Sequence, residues 1–234
     1  MNEENPPKSF QMVYTLHRPW SDILFETTLP PIVLEKMIEI SDKVLADSKR
    51  THWGDNLAGQ IKEEPLIPPE LLKEFNLTEF LGNMVHEYIH QCNLQKTPVP
   101  ENIESVKNRI QVTIANMWIV EQQPGEYNPI HTHTNCDIST VMYLKAPIFL
   151  PSEKTERNDD GTIYFIGSSS PKTKLNTNSL KVKPTPGAVF IFPSHLQHTV
   201  YPYKTNDNFA RRSVSFNAQF EYKVDTDFSR SIGK

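Results

Sequence analysis

The sequence predicts a mainly β domain with N-terminal helices, an α+β arrangement in which an antiparallel sandwich or barrel is braced from outside. Three observations predict it. Six short segments in the second half, IQVTIANMWIV, DISTVMYL, GTIYFIG, SLKVKP, GAVFIFP and RRSVSFNAQFEY, are rich in β-branched and aromatic residues and bounded by Pro, Gly, Asn or Asp. Two stretches before them carry apolar residues at helical spacing. Nineteen prolines against eight glycines favour extended segments with defined turns. Helices first and strands afterwards point to one domain spanning 1–234, with N-terminal strands and supporting helices over 1–105, a β-core over 106–222 and a tail over 223–234.

Taken in order, MVYTLHRPWSDILFETTLP mixes β-branched and aromatic residues and holds one or two short strands. PPIVLEKMIEISDKVLADSKR places Val33, Met37, Ile40 and Val44 on one helical face, with Pro30 and Pro31 at its start. Residues 51–67 read as loop. PPELLKEFNLTEFLGNMVHEYIHQCNLQ is helical in two pieces, with Leu77, Leu81, Met84, Val85 and Tyr88 on one face. A turn around PVPENIE then leads into the strands, and the charged stretch SEKTERNDDG reads as an exposed, mobile loop.

Composition excludes several classes of function. A net charge of −4 and the lack of a basic run give no footprint for nucleic acid. Charges or prolines interrupt every apolar run short of a bilayer's thickness, so no membrane partner is expected. The polar start MNEENPPKSF does not read as a secretory signal, and two cysteines, Cys92 and Cys136, fit a reduced, cytoplasmic protein.

Two histidine groups compete as metal sites. HEYIH, with His86 and His90 one turn apart, matches the helical zinc-peptidase pattern. Both histidines fall nearly opposite the apolar stripe of their helix, which puts them on a solvated face rather than in a cleft. HTHTNCDIS is the stronger candidate. On a strand, His131 and His133 project together. TNC is turn material, and a hairpin there folds Asp137 back toward them. Two imidazoles and a carboxylate suit divalent iron with positions left open for substrates; a polar hairpin tip is the alternative.

A later stretch adds to this group. PTPGAVFIFPSHLQHTVYP sets His195 in a Pro-Ser break and His198 at the start of a strand, which makes His198 the better ligand. Thirteen residues on, RRSVSFN alternates Arg211, Ser213, Ser215 and Asn217 on one face with Arg212, Val214 and Phe216 on the other. Four successive polar positions facing a β-core suit ligand binding, and arginine grips carboxylates through two parallel hydrogen bonds.

GEYNPIHTHTNCDISTVMYLKAP, followed by GAVFIFPSHLQHTVYP and RRSVSFN, resembles the iron(II)/2-oxoglutarate-dependent oxygenases over roughly residues 110–220. The likeness is greatest to a group often found in phages and marine bacteria, with prolyl 4-hydroxylases as more distant relatives. It implies a double-stranded β-helix (a jelly roll, cupin-like) and a cytoplasmic enzyme, in the host cytoplasm for a phage gene. Iron(II), 2-oxoglutarate and dioxygen are the implied cofactors, with ascorbate as an optional reductant. His131 takes the place of the leading iron histidine and His198 that of the distal one. Arg211, with Ser213, takes the place that holds the far carboxylate of 2-oxoglutarate, and Tyr143 and Asn128 are further co-substrate contacts. Many relatives carry an acid two positions after the first histidine, where this chain has His133. The third ligand then comes from Asp137 or is absent, so three ligands are to be drawn from His131, His198, Asp137 and His133. The implied activity is hydroxylation of a protein or peptide side chain, prolyl or other, with release of succinate and CO2. A small-molecule substrate is the alternative, as are a cupin-like metalloenzyme or metal-binding module that does not use 2-oxoglutarate, and a zinc peptidase through HEYIH.

Overall fold

The structure is a computed structural model and describes residues 12–17, 22–96, 101–150, 159–167, 178–207 and 209–223. Residues 152–158 of the charged loop, and all but Lys223 of the predicted tail, lie outside these.

Among the described residues, ten strands form two antiparallel sheets. The larger takes β1 (Tyr14–His17), β2 (Leu24–Thr28), β3 (Ile110–Gln122), β5 (Ile138–Lys145), β8 (Ala188–Pro193) and β10 (Arg211–Tyr222), in the order β1-β2-β8-β5-β10-β3. The smaller takes β4 (Asn128–His131), β6 (Ile163–Ile166), β7 (Ser179–Val182) and β9 (Gln197–Val200), in the order β4-β9-β6-β7. From β3 onward the chain switches sheets at each step except the β6-β7 hairpin, which is the jelly-roll arrangement.

Side-chain alternation sorts residues onto two faces of the larger sheet. Outward-facing Met117, Ile119, Met142, Val189, Ile191, Val214 and Phe216 pack with the apolar stripes of two helices into one buried cluster. The helices are α1 (Pro31–Ala46), contributing Val33, Met37, Ile40 and Val44, and α3 (Thr78–Leu94), contributing Leu81, Met84, Val85 and Tyr88. A short α2 (Pro69–Glu74) precedes α3. Inward-facing Val141, Tyr143, Phe190 and Phe192 meet Ile163, Phe165 and Val200 of the smaller sheet in a second cluster. Buried on both sides, β5 has seven of its eight residues in the interior; that is why DISTVMYL reads as an apolar run without clear alternation.

Three local expectations differ from the structure. The stretch before β3 is a helix, α4 (Ile103–Arg109), whose charged residues and lack of any buried side chain hide it from a search for apolar periodicity. It changes the surroundings of HEYIH. The face holding His86 and His90 is not solvated: the Lys107 carbonyl of α4 lies 3.0 Å from His86 Nε2, and His90 is 6% exposed. Residues 51–67 are not a free loop but run beside β3. Ile67 N–H donates to Met117, Ile119 N–H to Pro65, and Glu121 N–H to Glu63. This segment extends the larger sheet past its last strand. Third, TNC is not a hairpin turn, because β4 and β5 belong to different sheets and do not pair. There the chain crosses the gap between the sheets.

Candidate functional site

The inward faces of the two sheets enclose a cavity of about 380 Å³. His131 ends β4 and His198 stands directly opposite it on β9, a cross-strand pair with ring centroids 4.2 Å apart. His133 lies just past the end of β4, its backbone N–H donating to the Ser194 carbonyl at 2.9 Å. That bond turns its ring back to 5.3 Å from His131 and 5.2 Å from His198. One ring nitrogen from each of the three lies within 4.8 Å of the others.

The orientation of these rings is fixed from behind. His131 Nδ1 donates to the Pro129 carbonyl and His198 Nδ1 to the Leu196 carbonyl, both at 2.8 Å. Each bond selects the tautomer whose Nε2 lone pair is free. His198 Nε2 lies 3.3 Å from His133 Nε2, a separation bridged by a proton or by a shared cation. Burial depresses the basicity of all three, His133 to about 4 with help from His131, and His198 well below the usual imidazole range. At neutral pH they are therefore uncharged, the state that ligates metals. Trp118 flanks His133 at 6.1 Å and Phe192 flanks His198 at 4.9 Å, giving the group apolar walls.

Asp137 is not part of this group. Because TNC crosses between sheets, Asp137 is carried to the end of β10, where its Oδ2 accepts from the Phe220 N–H at 3.0 Å. It is exposed, and its backbone pairs with Ala218 and Ser194. The expected return of its carboxylate to the histidines does not occur. His195 sits in the turn before β9 and faces outward to Asp22 at 3.1 Å. His86 and His90 lie in α3, outside the cluster.

Along β10 the alternation puts Arg211, Ser213, Ser215 and Asn217 on the cavity wall. Arg212 points the other way, into Glu121, Ser41 and Asp42. Arg211 is 1% exposed and has no ion pair among the described residues. Its Nη1 donates to the Gly161 carbonyl at 3.1 Å, while its buried Nε has no partner. Tyr143, from β5, lies beneath the guanidinium, 5.6 Å from ring centroid to Cζ, and its buried hydroxyl also lacks a partner. Burial lowers the basicity of Arg211 and raises the Tyr143 phenol, so the pair is a neutral donor beside a lone cation. Unused donors of this kind, buried in a cavity, fit an anionic ligand. Asn128, the first residue of β4, lines the cavity from the opposite sheet.

Among the wall residues that sequence reasoning missed, Trp118 and Glu64 bear most on the chemistry. Trp118 was visible as the inward position of an alternating strand, two residues before Val120. Glu64 carried no signal, since consecutive acids before a proline read as solvated loop. It is 1% exposed, lines the cavity, and its Oε2 has no hydrogen-bond partner. Burial, reinforced by the nearby Glu126 carboxylate, pushes its pKa up to about 7.

Residues 116–217 match the family model described as "Putative 2OG-Fe(II) oxygenase". Among solved structures, a prolyl hydroxylase from Trichoplax adhaerens, in complex with a hypoxia inducible factor oxygen degradation domain peptide fragment, is similar over 90% of this chain and 87% of its own. Its identity is 12% and its TM-score 0.52, which shows a shared fold. A Pseudomonas putida prolyl-4-hydroxylase matches at 15% identity over 86% of this chain and 93% of its own, with a TM-score of 0.47. A 2OG-Fe(II) oxygenase family oxidoreductase from Burkholderia pseudomallei matches at 14% identity over 83% and 84%, also at 0.47. No curated protein matches the sequence. No helix among the described residues is long and apolar enough to cross a membrane.

Proposed function

We propose that the chain, whose residues 116–217 match the 2OG-Fe(II) oxygenase family model, hydroxylates a C–H bond of a protein or peptide side chain, with His131, His133 and His198 as the iron ligands. The observation that carries the reading is the juxtaposition, in one cavity, of three neutral imidazoles with an unpaired buried guanidinium. The donor set fits the metal: imidazole nitrogens suit iron, and two of the three rings are oriented by backbone carbonyls. The far wall fits the co-substrate. Arg211 offers its free N–H groups to a carboxylate, with the Ser213 hydroxyl one inward position along and the Tyr143 phenol beneath. Asn128 is the contact assigned to the opposite wall.

When bound, iron with 2-oxoglutarate and dioxygen supplies oxidation of a C–H bond coupled to decarboxylation of the co-substrate to succinate and CO2. The chain's own residues bind and orient. Arg211 would hold a carboxylate of the dianion, and His131, His133 and His198 would hold the iron. Trp118, Phe192 and Phe165 pack beside the histidine rings and make that side of the cavity apolar.

The test is succinate release from labelled 2-oxoglutarate with iron and ascorbate, screened against peptides and pools of small molecules. Stimulation by a peptide supports the reading; stimulation only by a metabolite reassigns the substrate. A second reading has its own support, because no carboxylate of the described residues joins the histidines. Three histidines suit a cupin-like metalloenzyme that does not use 2-oxoglutarate. Iron binding without 2-oxoglutarate binding would favour it.

A further inference from the structure

The segment that runs beside β3 sets an acid on the cavity wall. Leu66 bridges Trp118 on β3, so Glu64, two residues away, shares its inward face and stands beside Val120. Glu64 is 1% exposed and Oε2 has no partner. Glycine lets the loop above it lie close against this carboxylate on one side, while Glu64 still lines the cavity on the other. A Cβ at Gly59 would lie 3.1 and 3.3 Å from the two carboxylate oxygens, and would collide with Asn128 Oδ1. Three acceptor oxygens thus crowd one side of the cavity, and no hydrogen bond of the described residues uses the carboxylate. Glu126 adds a second negative charge nearby. Its carboxylate accepts from the Lys62 and Gln123 backbone N–H groups and is in no ion pair. His52 stands beyond Gly54 and forms no ion pair with Glu64. Buried acceptors without a donor are expensive unless a ligand supplies one.

We infer that Glu64, with Asn128 beside it, is the anchor for a basic side chain of the primary substrate, an ammonium or guanidinium group held while a nearby C–H bond is presented to the histidine cluster. A cation is the complement of two neighbouring carboxylates that lack one, and arginine or lysine donors match acceptors gathered on one side. The inference rests on the oxygenase reading above and narrows its substrate class.

The experiment uses the iron-loaded protein and N-acetylated, C-amidated peptides, so that no terminal charge competes. Peptides bearing lysine or arginine are compared with isosteres bearing norleucine or citrulline, and with free lysine and agmatine, by succinate release. The expected result is a kcat/KM for basic peptides at least roughly tenfold above their isosteres, the scale of one charged hydrogen bond. Glu64→Gln should bring that ratio close to one, and Glu64→Asp, which keeps the charge, should retain a preference. A ratio near one in the unsubstituted protein, or a ratio that Glu64→Gln leaves intact, overturns the inference. If free lysine or agmatine stimulates in a Glu64-dependent way and no peptide does, the cation anchor stands and the peptide part of the proposed function falls. Silence of every basic probe overturns the anchor. Titration with 2-oxoglutarate separates the two levels: binding with no basic preference sinks the anchor alone, and failure to bind sinks the oxygenase assignment with it.

Discussion

Replacing Arg211 with lysine gives the sharpest test of how the co-substrate is held. The guanidinium is buried, spends one N–H on the Gly161 carbonyl and leaves Nε without a partner, so its remaining donors face the cavity as a planar fork. A lysine keeps the charge but offers a single point of attachment and cannot satisfy both the carbonyl and a carboxylate in the same geometry. Losing one charge-assisted hydrogen bond in such a place is worth about 1.5–3 kcal/mol. The KM for 2-oxoglutarate should therefore rise roughly ten- to a hundredfold. Iron content should barely change, because Arg211 is not among the three residues whose ring nitrogens converge. Arg212 is the internal control. It donates to Glu121 at 2.5 and 3.0 Å and to Ser41 at 3.0 Å, and also pairs with Asp42, all on the helix side of the sheet. Asp42 is half exposed, so solvent screens that half of the pair, and the buried contact with Glu121 dominates. Arg212→Lys should lower stability by about 1–2 kcal/mol, a Tm shift of several degrees for a chain of this size, and leave the KM alone. The assay is a 2-oxoglutarate titration followed by succinate release, with metal content and thermal unfolding measured on the same samples. A raised KM for Arg212→Lys with none for Arg211→Lys would refute the assignment of faces. No effect from either would remove the 2-oxoglutarate reading and leave the cupin-like one.

His198→Ala should abolish iron retention and 2-oxoglutarate turnover, since it is the most buried member of the cluster; His86→Ala should retain both, and the opposite pattern by metal analysis would relocate the site. His133→Ala should lose most iron affinity, whereas Asp137→Ala should keep iron and lose only about 1 kcal/mol of stability with its bond to the Phe220 N–H; the reverse ranking would restore the carboxylate as ligand. The acidity of Glu64 sets a pH dependence. Its folded value is raised to about 7 from an ordinary 4.5, so the folded chain holds a proton that the unfolded chain has released. Stability from this group is full below about 4.5 and lost as pH rises toward 7, by at most about 3 kcal/mol. Glu64→Gln should flatten the Tm profile across that window, and an unchanged profile would show that the carboxyl is not buried as described.

What the sequence revealed and what it hid follow from how far each signal reaches. Period-two alternation is a local property, so RRSVSFN sorted Arg211 from Arg212 correctly without knowledge of any partner strand. The amphipathic stripes of α1 and α3 were equally local, and both helices lie where their apolar residues demand. Charged α4 buries nothing, so apolar periodicity could not reveal it, and with it went the covering of the HEYIH face. Glu64 was hidden for a related reason: whether an acid in a loop is solvated depends on what the loop lies against, here the edge of β3.

Asp137 shows the limit most clearly. The residues between His133 and Ile138 are good turn formers, and Asn135 takes the left-handed φ of 58° that such a turn favours. A turn, however, brings flanking residues together only when the two strands it joins pair with each other. Here β4 pairs with β9 and β5 pairs with β8 and β10, so the same turn chemistry serves a crossing between sheets. The sign of that crossing was present in DISTVMYL, whose lack of alternation marks a strand buried on both faces at the centre of a sheet rather than the second arm of an edge hairpin. A central β5 cannot also be the hairpin partner of β4 at the edge of the other sheet. The carboxylate must then leave the histidines, and the third ring nitrogen has to come from His133, which the Ser194 carbonyl holds in reach by its backbone.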